Sequence, residues 1–391
     1  MQFCRQTAER NIQRKNQGDG HIVVKETPHI MDYRKGLRIS KLLMVVVSVL
    51  AFVGCKDGIV NDSNNNDNVI CYEKPYSNHW EIFTNNISGT NPQNISNYSG
   101  DDEYPQWSPD GKYIVYSRRL PSHIVVVVVY NTGTHINTLL TNDSVDAGLT
   151  PQWTPNGKIF YFARSSYNVY DSGGTYLINP DGSQKKKILD FGAQLYFYND
   201  SYNFLYIKGT NVDKSNIDNT LNELVLELPP PESEQFITIR DFNPLTADIL
   251  INTNTVPGSS DAIAIYNAET KRFSIMLNSE DGYVLYLQKY SSDFSKIAFI
   301  EHSSDDEYLS LLENGKKKRL LRIPRSNPPI NFSFEPMEFS PDGKYIAFSE
   351  QITNSSQWIS FSTPLYAIKT AGGAPYKLEE EAHGPSWNPH Q

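Results

Sequence analysis

The fold of this 391-residue chain is decided by a motif that reads YPQWSPDGKYIVYS at residues 104–117. In its centre, Pro109 fixes φ, Asp110 bonds back to the backbone, and Gly111 supplies positive φ, so the three residues predict a tight turn. The residues after the turn alternate in polarity, as a half-buried β-strand does. The motif therefore predicts two short antiparallel strands joined by a turn.

The same motif recurs along the chain. Close copies read TPQWTPNGKIFYF at 150–162 and FEPMEFSPDGKYIAFS at 334–349, and GPSWNP at 384–389 begins another copy. Three degenerate copies lie between these. One aromatic position, the anchor, recurs every 44 to 49 residues. The anchors are Trp107, Trp153, Phe197, Phe242, Tyr290, Phe339 and Trp387.

Each repeat has room for four strands. A third apolar run follows the motif, as at 262–266 and 365–368, and a turn and a more polar strand come next. Four strands in about 47 residues are typical of a β-propeller blade. We expect an all-β, seven-bladed β-propeller of four-stranded antiparallel blades over residues 69–391. Six blades are the alternative, if the degenerate stretch 190–240 is not a blade.

The two ends of the propeller are expected to share one blade. The last copy of the motif stops after its first strand, at 385–387. Residues 69–72, 80–83 and 93–95 read as strands two, three and four of a blade that lacks a first. Joining them completes the blade and removes an open sheet edge, which would otherwise invite aggregation.

The beginning of the chain predicts export. An apolar run at 42–53 follows four basic residues between 34 and 41. The run is too short to span a membrane, which takes about 20 residues, and it suits a signal-peptide core. Gly54 and Cys55 at its end resemble the lipobox of bacterial lipoproteins, in which the cysteine becomes acylated after cleavage.

We therefore expect residues 1–54 to be a signal peptide, with 1–30 as a candidate mis-assigned start because Met31 would begin a leader of ordinary length. Cys55 is expected to carry the lipid, palmitate included, and 55–68 to be an Asn-rich tether. The expected location is the cell envelope, anchored by lipid in the outer membrane.

Charge and cysteine content exclude several classes of protein. Without residues 1–54 the net charge is about −14, which repels nucleic-acid backbones. The chain has three cysteines and no Cys-x-x-Cys pair, so a disulfide framework and a Cys/His zinc module are both excluded. No cofactor is expected, and a monomer is expected.

The repeated W-S-P-D-G-K pattern resembles the Pro-Asp repeats of the TolB-like, WD40-like propeller family, over about residues 69–388. The resemblance implies a propeller in the cell envelope. TolB has an extra N-terminal α/β domain for which we expect no room in this chain, so its cellular role is not carried over.

Signals of catalysis are scarce. The chain contains no Gly-x-Ser-x-Gly, His-Glu-x-x-His, P-loop or dinucleotide-binding motif. Asp101 and Asp102 precede the first strand of a blade, and His383 begins the closing strand, so these three are candidates for binding at one mouth of the channel. Asx side chains at such places also cap turns and strands.

Two functions are consistent with these features. The first is a non-catalytic scaffold of the envelope that binds a protein or a glycan. The second is a metal-dependent carbohydrate-active enzyme similar to the oligogalacturonate lyases of the TolB-like family, which would require further ligands converging with His383. Fold alone does not decide between them.

Overall fold

The computed structural model describes residues 69–390, apart from 142–145, 165–172, 230–235, 255–260, 325–330, 334–336, 350, 354–359 and 362–363. The leader, Cys55 and the tether therefore lie outside the described residues. Every regular element in the described part is a β-strand. No helix there is long and apolar enough to cross a membrane.

The strands form the blades in chain order. Blade 1 begins with β1 (Ile70–Tyr76), β2 (His79–Asn85) and β3 (Gln93–Asn94). Blade 2 consists of β4 (Asp102–Trp107), β5 (Tyr113–Arg119), β6 (Val125–Asn131) and β7 (Ile136–Leu139). Blade 3 consists of β8 (Asp146–Trp153), β9 (Ile159–Arg164), β10 (Gly174–Ile178) and β11 (Lys186–Leu189). Blade 4 consists of β12 (Leu195–Phe197), β13 (Asn203–Lys208), β14 (Asn211–Asn216) and β15 (Asn222–Glu227).

The second half continues the pattern with one addition. Blade 5 consists of β16 (Ile237–Asn243), β17 (Asp248–Thr253), β18 (Ala262–Asn267) and β19 (Arg272–Asn278). Blade 6 consists of β20 (Val284–Tyr290), β21 (Lys296–His302), β22 (Asp306–Glu313) and β23 (Lys316–Pro324). A small extra sheet holds β24 (Asn331–Ser333), β27 (Gln351–Thr353) and β28 (Ser360–Phe361). Blade 7 consists of β25 (Met337–Phe339), β26 (Tyr345–Ser349), β29 (Leu365–Lys369) and β30 (Tyr376–Glu379). The last strand is β31 (His383–Trp387).

The last strand closes the ring. β31 pairs antiparallel with β1, so that blade 1 has the order β3-β2-β1-β31. Ile70 lies opposite Trp387, and Glu73 lies opposite His383. The predicted sharing of one blade by the two ends of the propeller is confirmed, and the described residues form seven four-stranded blades.

Apolar clusters fill the spaces between neighbouring blades, one cluster at each of the seven interfaces in the described part. The five-valine run in β6 shows how a strand serves two interfaces. Val126 and Val128 pack toward blade 1, while Val127 and Val129 pack toward blade 3. A strand buried on both faces needs apolar residues at every position, which explains the run.

The closed ring decides the number of blades. The stretch 190–240 contains the whole of blade 4, which shares apolar clusters with blades 3 and 5, so the six-bladed alternative is wrong. All seven clusters are built from residues between 69 and 387, within the compact unit Gly58–Gln391. Because this unit holds every interblade core, it contains all that the propeller needs to fold by itself.

The motif residues hold the turn in place. Ser108 Oγ donates to Asp110 Oδ1 at 2.7 Å and accepts the Tyr113 N–H at 2.9 Å, while Gly111 has φ of 66°. In blade 7, Ser340 bonds to Asp342 at the same distance of 2.7 Å. The repeated Ser-Pro-Asp-Gly is therefore a self-bonded turn between the first and second strands of a blade.

Candidate functional site

The first strands of the blades surround the central channel. Consecutive first strands contact one another, as β31 does with β4, β4 with β8, β16 with β20, and β20 with β25. Because every blade is antiparallel and begins with this strand, all first strands start at the same end of the propeller. We call that end the channel mouth.

One residue from each blade forms a ring in the channel. It is the residue just before each anchor, and it is partly exposed in all seven blades. In five blades the residues on both sides of it are buried, so its exposure comes from the channel. The members of this channel ring are Gln106, Gln152, Tyr196, Asp241, Lys289, Glu338 and Ser386.

The channel ring is charged on one side only. Lys289 Nζ lies 3.3 Å from Glu338 Oε1 and 3.9 Å from Asp241 Oδ2, bridging three consecutive blades. The two carboxylates raise the pKa of Lys289, whereas burial raises the pKa of Glu338. Burial also raises the pKa of Tyr196 to about 12. The remaining members in blades 1 to 3 are neutral.

Two of the tryptophan anchors fix the channel ring from behind. Trp153 Nε1 donates to the carbonyl oxygen of Gln106 at 3.0 Å, and Trp387 Nε1 donates to that of Glu338 at 3.2 Å. Each indole thus bonds to the ring residue of the preceding blade. This gives a reason for tryptophan at these anchors, since phenylalanine would fill the space without the bond.

At the channel mouth, Asp102 serves the fold. Its side chain is fully buried, and Arg118 donates to both of its oxygens, at 2.9 and 2.8 Å. The same guanidinium donates to the carbonyl oxygen of Ser96, beyond blade 1, and lies 4.0 Å from the ring centre of Tyr98. Asp102 therefore links blade 2 to blade 1 and presents no atom to a ligand.

Asp101 remains accessible. Its side chain is 33% exposed, and Oδ2 lies 3.6 Å from Nε of Arg119. Its other oxygen accepts the backbone N–H of Trp80 at 3.1 Å, which fixes the carboxylate beside the hairpin of β1 and β2.

His383 is held by a buried glutamate. Its Nδ1 lies 3.2 Å from Oε2 of Glu73, and its ring centre lies 4.6 Å from that of Trp80. Glu73 is 2% exposed, and its other oxygen accepts the backbone N–H of Tyr104 at 2.7 Å. Burial raises the pKa of Glu73 to about 8 and lowers the pKa of His383.

Both groups are therefore neutral near pH 7. Because 28% of the imidazole is exposed, His383 is open to a partner at the channel mouth.

Tyr104 stands in a strained bulge of the first strand. Its φ is 61°, and the register with β5 shifts between Glu103 and Gln106. The ring is 44% exposed. Positive φ is unfavourable for an aromatic residue, so the surrounding contacts must hold it there. Thr150, Leu287 and Gly384 have positive φ at the same place, three residues before their anchors.

These residues form a mouth cluster of Glu73, Trp80, Asp101, Tyr104 and His383. The structure brings two of the predicted site residues, Asp101 and His383, together around Trp80, while the third lies buried beneath. The sequence did not lead us to Glu73 and Trp80, because their partners come from distant segments. The channel ring was also missed, although the spacing of the anchors gave its positions directly.

No metal centre is evident in the part of the chain that the structure describes. No three His, Cys, Asp or Glu side chains lie close enough there to hold an ion. Cys71 is buried in β1, and burial raises the pKa of its thiol well above the usual range, so it is a poor nucleophile.

No protein-family model and no curated protein sequence matches this chain. Solved structures do. TolB from Acinetobacter baumannii is 15% identical with a TM-score of 0.47, over 93% of this chain and 74% of that one. An oligogalacturonate lyase in complex with manganese is 10% identical with a TM-score of 0.51, over 70% and 76%. Puromycin hydrolase is 10% identical with a TM-score of 0.56, over 81% and 53%.

At these identities the similarity concerns the fold. The predicted seven-bladed propeller is confirmed by the seven four-stranded blades of the structure itself. Shared architecture does not transfer a ligand or a reaction.

Proposed function

We propose that this chain is a lipid-anchored protein of the bacterial cell envelope, attached to the outer membrane through Cys55, whose propeller binds a partner at the mouth cluster. The lipobox-like Gly54-Cys55 after an apolar run supports the anchor. The single observation that carries the binding role is the oriented, partly exposed set of Asp101, Tyr104 and His383, held by buried groups beneath it.

Rigid support is what distinguishes this surface from an ordinary loop. Glu73 lies against His383 and accepts the backbone N–H of Tyr104, and Asp101 accepts the backbone N–H of Trp80. A surface that is already ordered loses little conformational entropy on binding. The partner is a protein with basic side chains, because the accessible carboxylates of Asp101 and Glu103 attract cations.

The lyase-like alternative has less support. A polyanionic galacturonate would meet the carboxylates of Asp101 and Glu103 at the mouth, and like charges repel. A metal could offset this, but the described residues offer no ligand set around His383.

The proposed site can be tested by photo-crosslinking in intact cells that make the full chain. Tyr104→p-benzoylphenylalanine places the probe in the mouth cluster. Tyr202→p-benzoylphenylalanine is the matched control, because Tyr202 is also an exposed tyrosine, at 37%, but lies at the opposite end of the propeller. We expect a protease-sensitive adduct from position 104 only.

A second pair of variants tests the chemistry of that adduct. Asp101→Asn in the mouth cluster should reduce the yield of the crosslinked adduct at least fivefold, because it removes a partly buried negative charge that attracts the basic partner. Asp181→Asn, in an exposed turn at the other end, should leave it unchanged. Equal adducts from both probe positions, or an adduct made only of glycan, would contradict the proposal.

A further inference from the structure

The two ends of the propeller differ in charge. The turns that join strands one to two and strands three to four of a blade lie at the end opposite the channel mouth, which we call the base. The described connections at the mouth hold eight acidic residues, Asp101, Glu280 and Glu381 among them, and no lysine or arginine. The base turns hold seven acidic residues and five lysines. The negative charge of the described part is therefore concentrated at the mouth.

The strand ends add lysines at the base of blades 6 and 7. Lys316 begins β23 and Lys369 ends β29, and both are exposed. Lys318 is exposed as well, and its ammonium group donates to the carbonyl oxygens of Thr370 and Ala371, in the base turn that follows Lys369. These contacts place the three lysines on one surface that spans the two blades. We call Lys316, Lys318 and Lys369 the base patch.

Neighbouring carboxylates do not neutralise the base patch. Glu313 lies across the hairpin from Lys316, but its carboxylate pairs with Lys296 at 3.6 Å. Within the described part of the chain, none of the three base-patch lysines forms an ion pair with an acidic residue. Exposed ammonium groups without a partner attract an anionic surface.

The chain also enters the propeller at the base. Ile70 lies opposite Trp387, the last residue of the closing strand, so Val69 stands at the base end. Only 13 residues separate Val69 from Cys55. A chain of this length reaches about 45 Å when fully extended and spans about 20 Å on average when flexible. A seven-residue strand such as β21 is about 23 Å long, so a lipid on Cys55 would hold the base closer to its membrane than the mouth.

We propose that the base patch rests on the anionic headgroups of the membrane that holds the anchor, and that the mouth cluster faces away from this membrane. The proposal depends on the lipid anchor of the proposed function. An anionic surface attracts the lysines of the base and repels the carboxylates of the mouth, so both effects act in the same direction as the tether. The basic partner then reaches the mouth from the side away from the membrane.

Vesicles that carry residues 55–391 test this orientation. The thiol of Cys55 is coupled to a maleimide lipid, while Cys71 is buried and does not compete. Ser292→p-azidophenylalanine and Ser304→p-azidophenylalanine attach a donor dye at the base and the mouth of blade 6, near the two ends of β21, where both serines are exposed. The vesicles contain phosphatidylcholine, phosphatidylglycerol and an acceptor dye on the headgroups. Energy transfer from position 292 should exceed that from position 304 at least about twofold, because the positions lie about 23 Å apart along the strand.

Charge reversal separates the base patch from the tether. Lys369→Glu should reduce the ratio of transfer, position 292 over position 304, by about half, because it puts a carboxylate against the anionic headgroups. Lys208→Glu is the matched control, since Lys208 is also an exposed lysine that ends a strand, β13, but at the mouth. It should not lower the ratio. Vesicles of phosphatidylcholine alone should lower the wild-type ratio and remove the difference between the two variants.

Equal transfer from both positions, greater transfer from position 304, or the same ratio on charged and uncharged vesicles would overturn the proposal. The maleimide lipid supplies the anchor and no partner is present, so these results do not depend on acylation of Cys55 in cells or on the adduct from position 104. Thermal melts of the two glutamate variants should match wild type, which separates loss of orientation from loss of fold.

Discussion

Two buried carboxylates lie under the same channel mouth and have opposite roles. Asp102 is paired with Arg118, whose charge is permanent at any physiological pH. Glu73 is paired with His383, whose charge is not. The first pair binds two blades together through two groups that are largely shielded from solvent. The second pair has a partly exposed member, His383, so it is the pair suited to contacting a partner.

The largest effect should come from breaking the permanent pair. Asp102→Ala leaves the guanidinium of Arg118 without its carboxylate in a site where only 12% of that side chain is exposed. Removing one member of such a pair costs about 3–5 kcal/mol of unfolding free energy. Urea denaturation of residues 58–391 would measure it.

The control for this prediction removes both charges. Asp102→Leu combined with Arg118→Met should recover most of the lost stability, because apolar replacement of a buried ion pair is often neutral. A double variant as unstable as the single one, or a loss below about 1 kcal/mol in the single one, would show that the pair is not what holds blade 2 to blade 1.

The titratable pair should give a smaller effect that depends on pH. Burial raises the pKa of Glu73 from 4.5 to about 8, so the folded chain keeps a proton that the unfolded chain releases. The stability that this proton provides is complete below pH 4.5 and falls as the pH rises to about 8. Glu73→Gln cannot ionise, so relative to wild type its stability should increase over this range, by on the order of 2–4 kcal/mol.

Urea midpoints of both proteins at pH 7 and pH 9 would test this, because about 1 kcal/mol of the change falls between these two pH values, on either side of the folded pKa of about 8. The range avoids most of the titration of His383, whose pKa is lowered from 6.5 by burial. Glu103, the other carboxylate that acts on Glu73, is present in both proteins. Parallel profiles for the two proteins would mean that Glu73 is not protonated in the fold.

The smallest effect on stability should come from Gly384→Ala, which tests how firmly the side chain of Glu73 is held in place. A Cβ on Gly384 would lie 3.0 Å from Oε1 of Glu73, and φ there is 66°. Gly157 has φ of 79° with no atom within 4 Å of its Cβ position. Alanine at either site costs about 1–2 kcal/mol of backbone strain.

Gly384→Ala should cost about 1 kcal/mol more than Gly157→Ala, because Glu73 must also move. Thermal denaturation of the two variants side by side would measure the difference. Equal losses would mean that Glu73 gives way freely, and the mouth cluster would then be less rigid than its contacts indicate.

The repeat made most of the fold readable from sequence, while the site depended on contacts between distant segments. The anchors gave the blades and their closure, because each anchor marks a first strand. They also fixed the position before each anchor, which is the channel ring. In contrast, Glu73 and His383 are 310 residues apart and meet only because β31 returns to β1. No local pattern marks either residue.

The sequence repeat did not predict two features of the structure. The extra sheet of β24, β27 and β28 interrupts blade 7 in a stretch where the spacing of the motif gives no expectation. The burial of Asp102 was hidden because three acidic residues in a row, 101–103, look alike in sequence. Successive side chains of a strand point to opposite faces, so only the middle one, Asp102, is buried and contacts Arg118.

The return of β31 also sets the order of events during synthesis. Blade 1 lacks its innermost strand until residues 383–387 have left the ribosome, although its other strands are made within the first quarter of the chain. The ring therefore stays open through nearly the whole of translation, and closing it links ends separated by a very long loop. Such late, non-local pairing is slow. The export proposed above would gain time from this delay, because the chain would cross the membrane before it folds.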